Sequence, residues 1–220
     1  MTGAPTDLIN LARYPINNPE APEYQKILQG VHAALSNDGC AVLKGFLTPA
    51  VVQALAKEAN AASPNAHASF NRTNPYFTQD DENLPADHPM RQFYDRSNAF
   101  IPADNFTKQG ALRQVQDHAG FDSFIQACLG EKDFYRYADP LADAIINMAG
   151  AGNGFPWHFD TNNFTVTLAV QNAEQGGAFE YAPNIRRDGE SFDEVSAVLQ
   201  ERSDKVKVLN LEPGDLQLFR

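Results

Sequence analysis

The spacing of apolar positions along the chain predicts helices first and strands later. Residues 23–36 carry Tyr24, Ile27, Leu28, Val31 and Leu35 at helical intervals, and Asn37-Asp38-Gly39 supplies a stop signal. Residues 40–47 (CAVLKGFL) read as a strand. Thr48 is expected to cap a second helix, with Pro49 at its first position and Val51, Val52, Leu55 and Ala59 along one face. Two shorter helices are predicted over 111–119 and 121–129, separated by Gly120 and closed by Gly130. From residue 133 onward, β-forming runs dominate: 133–137, 142–149, 164–171 (FTVTLAVQ), 178–181, 206–211 and 216–220. Gly176-Gly177 and Glu212-Pro213-Gly214-Asp215 are turns between them. One helix, over 192–200, interrupts this series, and the Ser191-x-x-Glu194 pattern predicts a capping box at its start.

Two stretches lack such periodicity. Residues 1–22 contain four prolines and read as an extended lead-in. In residues 63–110, prolines at 64, 75, 85, 89 and 102 are interleaved with Phe70, Tyr76, Phe77, Phe93, Tyr94, Phe100 and Phe106. A long aromatic-rich segment of this kind is expected to be a lid or a packed loop over the rest of the domain. Arg72, Arg91 and Arg96 are its charged anchors; each either faces an anionic group of a ligand or is solvated or ion-paired.

At 220 residues the chain is expected to be a single domain, 1–220, able to bury a core without staples. It divides into the lead-in, a helix–strand–helix support over 23–62, the cover over 63–110 and strands over 133–220. The formal net charge of −11 argues against nucleic acid and against an anionic membrane surface as partners. A small molecule is the expected partner, and the sequence leaves the oligomeric state open. The two cysteines, Cys40 and Cys128, lie far apart with no C-x-x-C, so neither a disulfide framework nor a thiolate zinc site is expected. With no basic start leading into a long apolar run, and no apolar run near the ~20 residues of a membrane span, a cytoplasmic protein is expected.

The candidate chemistry lies at His158-Phe159-Asp160. On a strand, residues i and i+2 point the same way, so this imidazole and carboxylate would share a face and hold one divalent metal. A second His would complete a 2-His-1-carboxylate triad with positions left open on Fe(II). The three glycines of 149–154 (AGAGNG) are not followed by the Lys-Ser/Thr of a phosphate-binding loop and read as a strand-to-strand turn.

The order H-F-D, strand, G-G-x-F-E-Y, helix, strand, P-G-D, strand resembles the Fe(II)/2-oxoglutarate-dependent oxygenases. Within them it is most similar to the branch that hydroxylates or halogenates free amino acids. The resemblance runs from about Glu20 to Arg220. It implies a mainly β fold, a double-stranded β-helix (jelly-roll, cupin-like) barrel with flanking helices. It implies Fe(II), 2-oxoglutarate and O₂ as cofactor and co-substrates, with His158 and Asp160 as metal ligands. It also implies oxidative decarboxylation of 2-oxoglutarate to succinate and CO₂, coupled to attack on an unactivated C–H. Halogenating members have Gly or Ala at the position of Asp160, so the carboxylate here favours hydroxylation. In the family a distal His ligand and an Arg for the far carboxylate of 2-oxoglutarate follow the strand after P-G-D. Arg220 lies inside that strand, and His32, His67, His88 and His118 all precede the turn. The resemblance therefore places the third ligand and the closing strands outside these 220 residues. A non-oxidative jelly-roll protein that binds a metal or ligand, or an inert truncated oxygenase, is the alternative.

The same resemblance points to Asn147 near the oxoacid end of the co-substrate. Thr165 and Thr167 alternate with Phe164, Val166 and Leu168, so the threonines either line the interior near the co-substrate or face solvent. Arg72, Trp157 and Asn162 are candidates for substrate contact; for Trp157 the alternative is packing, and for Asn162 a turn after Asp160.

Overall fold

The computed structural model describes residues 7–186 and 192–220. Its helical part follows the sequence closely. Helix α1 (Pro22–Asp38) starts on a proline and stops at Gly39, whose φ of 64° and N–H bond to the Leu35 carbonyl form a left-handed cap. Strand β1 (Cys40–Leu43) leads into α2 (Pro49–Ala62). Thr48 stands at the expected N-cap position, but its hydroxyl donates to the Asp7 carbonyl at 2.6 Å instead of accepting from the helix. Helices α3 (Ala111–Gln116) and α4 (Phe121–Leu129) are joined through Gly120, with φ 86°. A Cβ there would stand 2.7 Å from the Ile16 carbonyl oxygen, so the close approach of the lead-in requires glycine. These elements enclose the main core around Phe46, Leu55, Phe124 and Ile125, each at most 1% exposed.

The central sheet has the order β1–β8–β5, all antiparallel, with β5 at Thr165–Leu168 and β8 at Leu216–Phe219. Leu218 stands between Ala41 and Val166, and Gln217 between Val42 and Thr167. Directly opposed residues share a face. One face therefore carries Ala41, Leu43, Val166, Leu168, Leu216 and Leu218, all packed into the helical core. The other carries Cys40, Val42, Thr165, Thr167, Gln217 and Phe219. The threonine side of β5 is thus turned away from the core, toward a two-stranded sheet of β6 (Phe179–Tyr181) and β7 (Lys207–Leu209) that touches Phe219 through Phe179, ring centroids 5.6 Å apart. Helix α5 (Phe192–Leu199) separates β6 from β7, as expected. Ser191, the expected start of its capping box, lies outside the described residues. Asp215, in the turn before β8, is 2% exposed and accepts from the backbone of Gly45 and Glu212 and from Lys44 Nζ at 2.7–2.9 Å.

Three expectations need correction. The segment 63–110 is not an irregular cover: it contains β2 (His67–Thr73) and β3 (Tyr94–Ile101), paired over seven positions and continued by β4 (Ile146–Met148). The run HASFNRT has a single β-branched residue and lies at a sheet edge with most side chains exposed, so it carries no apolar alternation. Residues 133–137 are not a strand. Arg136 there is drawn onto the helices by Asp117 and Asp122, at 2.5 and 2.8 Å, with Tyr135 and Tyr137 left exposed. Finally, the architecture is mixed α/β, with three separate antiparallel sheets and no closed barrel among the described residues. Six of the eight strands among the described residues have only three or four residues. No helix among the described residues is long and apolar enough to cross a membrane. Both cysteines are buried and free, and burial pushes the Cys128 thiol up to about 12.

Candidate functional site

His158 and Asp160 lie on an extended segment rather than on a ladder strand. The segment meets β3 in one backbone bridge, where Gly154 N–H donates to the Ser97 carbonyl at 3.0 Å and Ser97 Oγ bonds Asn153 Oδ1 at 2.7 Å. Pro156 then removes a backbone donor, which prevents the ladder from continuing there. Phe159 N–H turns instead to the Pro75 carbonyl, 2.9 Å away. The period-two expectation still holds in outcome, because the two side chains converge: His158 Nε2 is 3.1 Å from Asp160 Oδ1.

The hydrogen bonds around this pair define its chemistry. His158 Nδ1 is 2.8 Å from the Pro156 carbonyl, which can only accept, so the Nδ1 nitrogen carries the proton. Nε2 then faces a carboxylate, and two acceptors cannot share a 3.1 Å contact. Either a second proton makes His158 an imidazolium, or a cation lies between Nε2 and Oδ1. The hydrogen bond to Asp160 raises the His158 pKa against the opposing effect of burial. The same bond, with help from Thr165, holds Asp160 below the usual carboxylate range although burial works the other way. Thr165 Oγ1 donates to Asp160 Oδ2 at 2.6 Å, leaving Oδ1 for the partner it shares with His158. A fixed tautomer and an anchored carboxylate are the supports that metal ligands receive from their surroundings. The pair thus fits two of the N and O donors of a hard or borderline divalent ion. Among the described residues no group of three His, Cys, Asp or Glu side chains is placed to hold a metal.

The turn 74–78 holds the pair from the other side. Asn74 is 1% exposed and organises this turn. Its Oδ1 accepts from the backbone of Tyr76 and Thr78, and its Nδ2 donates to the Met90 carbonyl and to Thr78. This geometry forces Phe77 to a φ of 57°, which a bulky residue rarely adopts. The Phe77 ring is thereby set 5.5 Å from the His158 ring. The Tyr76 ring packs on Phe159 at 5.0 Å. Arg96 of β3 lies between Phe77 and Phe155, its guanidinium carbon 5.4 and 5.5 Å from the two ring centroids.

The other expected site residues fall in different places. Thr165 supports Asp160 directly, and Thr167 follows on the same strand face opposite Gln217. Asn147 is exposed on β4, opposite Phe100, and shares the sheet face that carries Arg96. Arg72 pairs in register with Asp95 on the opposite face and is exposed, so the structure does not bring it to His158. Trp157 packs against the small cluster of Ile185, Val195 and Val198. Asn162 is exposed in the bend after Asp160. Asn74, Phe77 and Asn98 were not foreseen. The Asn74-Pro75 dipeptide, a turn-initiating pair, is the signal that marks the first of them.

No curated protein matches the chain. The model of the halogenase D family matches residues 24–220, a span that includes the helical core, every strand and the His158–Asp160 pair. The chain therefore belongs to the halogenase D family and is, at that level, an enzyme of the halogenase and iron-dependent oxygenase kind.

Proposed function

We propose that this protein is an Fe(II)- and 2-oxoglutarate-dependent dioxygenase that hydroxylates an unactivated C–H of a small molecule, a free amino acid or a derivative of one. The observation that carries this reading is the convergence of His158 Nε2 and Asp160 Oδ1, 3.1 Å apart, with Nδ1 turned to the Pro156 carbonyl. Iron suits a nitrogen and oxygen donor set without thiolate. The third donor, a histidine, comes in this reading from outside the described residues, and the three sheets are staves of a jelly roll.

Bound iron, with 2-oxoglutarate and O₂, supplies the oxidising power; overall, 2-oxoglutarate, O₂ and R–H give succinate, CO₂ and R–OH. The residues of this chain set the conditions. His158 and Asp160 would hold the ion, and Thr165 Oγ1 donates to Asp160 Oδ2, which leaves Oδ1 as the free oxygen beside His158. Phe77 sets its apolar ring beside His158, 5.5 Å between centroids. Hydroxylation is favoured over halogenation because the Asp160 carboxylate takes the coordination place that a halide would need.

The test is turnover with Fe(II), 2-oxoglutarate and a panel of free amino acids in excess chloride. Substrate-stimulated succinate formation with a hydroxylated product is expected. A chlorinated main product would overturn the argument from Asp160, and stoichiometric Fe(II) binding without any oxidation would favour a non-oxidative metal protein. Asp160→Gly is expected to abolish hydroxylation while opening the site to chloride.

A further inference from the structure

Strand β2 is the longest edge that the sheets leave open among the described residues. The edge strands are β1 and β5, β2 and β4, and β6 and β7. Five of these have three or four residues; β2 has seven, paired with β3 at every position without a bulge. Edges of that length are ordinarily blunted by a proline, a lysine or a bulge. The run HASFNRT has none of them. In an antiparallel ladder, alternate residues turn N–H and C=O to opposite sides, so about three or four residues of β2 present theirs outward. Among the described residues, no backbone hydrogen bond joins residues 67–73 to anything but β3.

The strand is complementary to itself. Phe70 is the central residue of the seven and is 73% exposed. Antiparallel pairing of β2 with a second β2, centred there, sets Phe70 opposite its own copy, Ser69 opposite Asn71, Ala68 opposite Arg72 and His67 opposite Thr73. The period of two places Ala68, Phe70 and Arg72 on one face. The two Phe70 rings therefore meet on the two-fold axis, and each Arg72 is the diagonal neighbour of the other copy's Phe70, within reach of a cation–π contact. Charge acts the same way. A net charge of −11 makes most of the surface repel a second copy, but β2 has no acidic residue and its single Arg meets alanine across the axis. Arg96 and Asn98, in register with Asn71 and Ser69, lie on the opposite face, so the aromatic contact forms away from the side that carries Arg96.

We propose that β2 is a self-association edge, through which two copies of this chain pair antiparallel about a two-fold axis at Phe70. The result is a continuous six-stranded sheet in the order β4–β3–β2–β2–β3–β4. The isologous contact consumes both long edges and leaves only the three-residue β4 at either end, so assembly closes at the dimer. One strand pair is a small interface, below about 1,200 Å² in total, and the dimer forms in the micromolar range or weaker. None of this depends on the oxygenase reading.

Sedimentation velocity of the wild-type chain from micromolar to millimolar concentration should show a monomer–dimer equilibrium. Phe70→Lys sets two ammonium groups opposite each other and should weaken the dimer at least about tenfold, with circular dichroism unchanged. Disulfide trapping reads the register. Both native cysteines are buried, so an introduced thiol is the reactive one. Phe70→Cys should cross-link with itself under mild oxidation, because directly opposed residues stand about 4.5–5.5 Å apart, within disulfide reach. Ala68→Cys should not cross-link alone but should do so when mixed with Arg72→Cys. A wild-type chain that stays monomeric throughout would overturn the inference and reserve the edge for an unlike chain. A dimer that Phe70→Lys leaves intact, species larger than the dimer, or Ala68→Cys cross-linking with itself as readily as Phe70→Cys would also overturn it.

Discussion

Replacement of Asn74 by alanine tests how far the candidate site depends on the turn beneath it. The carboxamide makes contacts to Tyr76 N–H, Thr78 N–H, the Met90 carbonyl at 2.6 Å, and the Thr78 hydroxyl and carbonyl. Its NH₂ has only two hydrogens, so the two Thr78 acceptors share one of them and the effective count is four. A neutral hydrogen bond contributes about 0.5–1.5 kcal/mol net, and a donor left buried without a partner costs about 1–3 kcal/mol. Partial rehydration of the half-exposed turn offsets part of this, so Asn74→Ala should destabilise the protein by about 2–4 kcal/mol. The conformation of Phe77 at positive φ is maintained by this network. Its loss should therefore release both the Phe77–His158 contact and the Phe159 N–H bond to Pro75. Supports of metal ligands are worth roughly 10–100-fold in affinity, and a loss in that range is expected for Fe(II). Urea denaturation gives the first quantity and anaerobic calorimetric titration with Fe(II) the second. Asn74→Asp, which keeps the acceptor and loses the donors, should fall between wild type and alanine. A stability loss under about 1 kcal/mol would show that the turn does not depend on Asn74. A large stability loss with unchanged Fe(II) affinity would show that the turn does not position His158.

Further outcomes follow from the titrating and buried groups. In metal-free protein, the raised pKa of His158 means that its pairing with Asp160 stabilises the fold fully below the unfolded value, about 6.5, and is lost as pH rises through the folded value. Fe(II) requires Nε2 free, so its affinity should rise over the same range; melting temperature and metal titrations between pH 5 and 9, roughly the span around that value, should thus move in opposite directions, and both trends should vanish in His158→Gln. Asp215→Ala leaves Lys44 and two backbone N–H groups without their acceptor and should cost about 2–4 kcal/mol in denaturant titrations, the figure tempered because Lys44 is half exposed. Backbone N–H bonds and Lys44 hold the Asp215 pKa down against burial, so this contribution is present above the unfolded value, about 3.9, and disappears as pH falls through the folded one. Cys128, fully buried with its thiol near 12, should resist a thiol-specific reagent at neutral pH until the protein is unfolded.

The legible parts of this fold are those whose determinants are local. Helix α4 lies between Gly120 and Gly130, both at positive φ, and its apolar face is written in nine consecutive residues. The alternation of β5 and the turn before β8 likewise stand out, because both serve a strand with one face in the core. Strands β2 and β3 have no such signature. The polar residues of β2 are mostly exposed at a sheet edge, and those of β3 meet the segment leading to His158 through Ser97 and Arg96. The convergence of His158 and Asp160 was legible from residue types, but the reason offered for it, strand periodicity, was not how the chain does it: Pro156 breaks the ladder, and a turn more than 80 residues earlier holds the segment in place. Asn74 was invisible for the same cause: four of its five contacts are local and the fifth reaches Met90, but their effect is exerted on a distant stretch.

The position of β8 at the centre of the β1–β8–β5 sheet has a consequence for the order of folding. Leu216, Gln217 and Leu218 are buried on both faces, and Gln217 touches Cys40 across 177 residues of chain. Helices α1 to α4 can condense on local contacts, but β1 and β5 have no common partner until β8 has been synthesised. Closing so long a loop is entropically costly and slow, and it leaves the edges of β1 and β5 open in the meantime. During translation the chain therefore carries a formed helical half and an unfinished sheet, with Ala41, Leu43, Val166 and Leu168 awaiting their central neighbour. The His158–Asp160 pair, anchored through Thr165 of β5, is completed only after that closure.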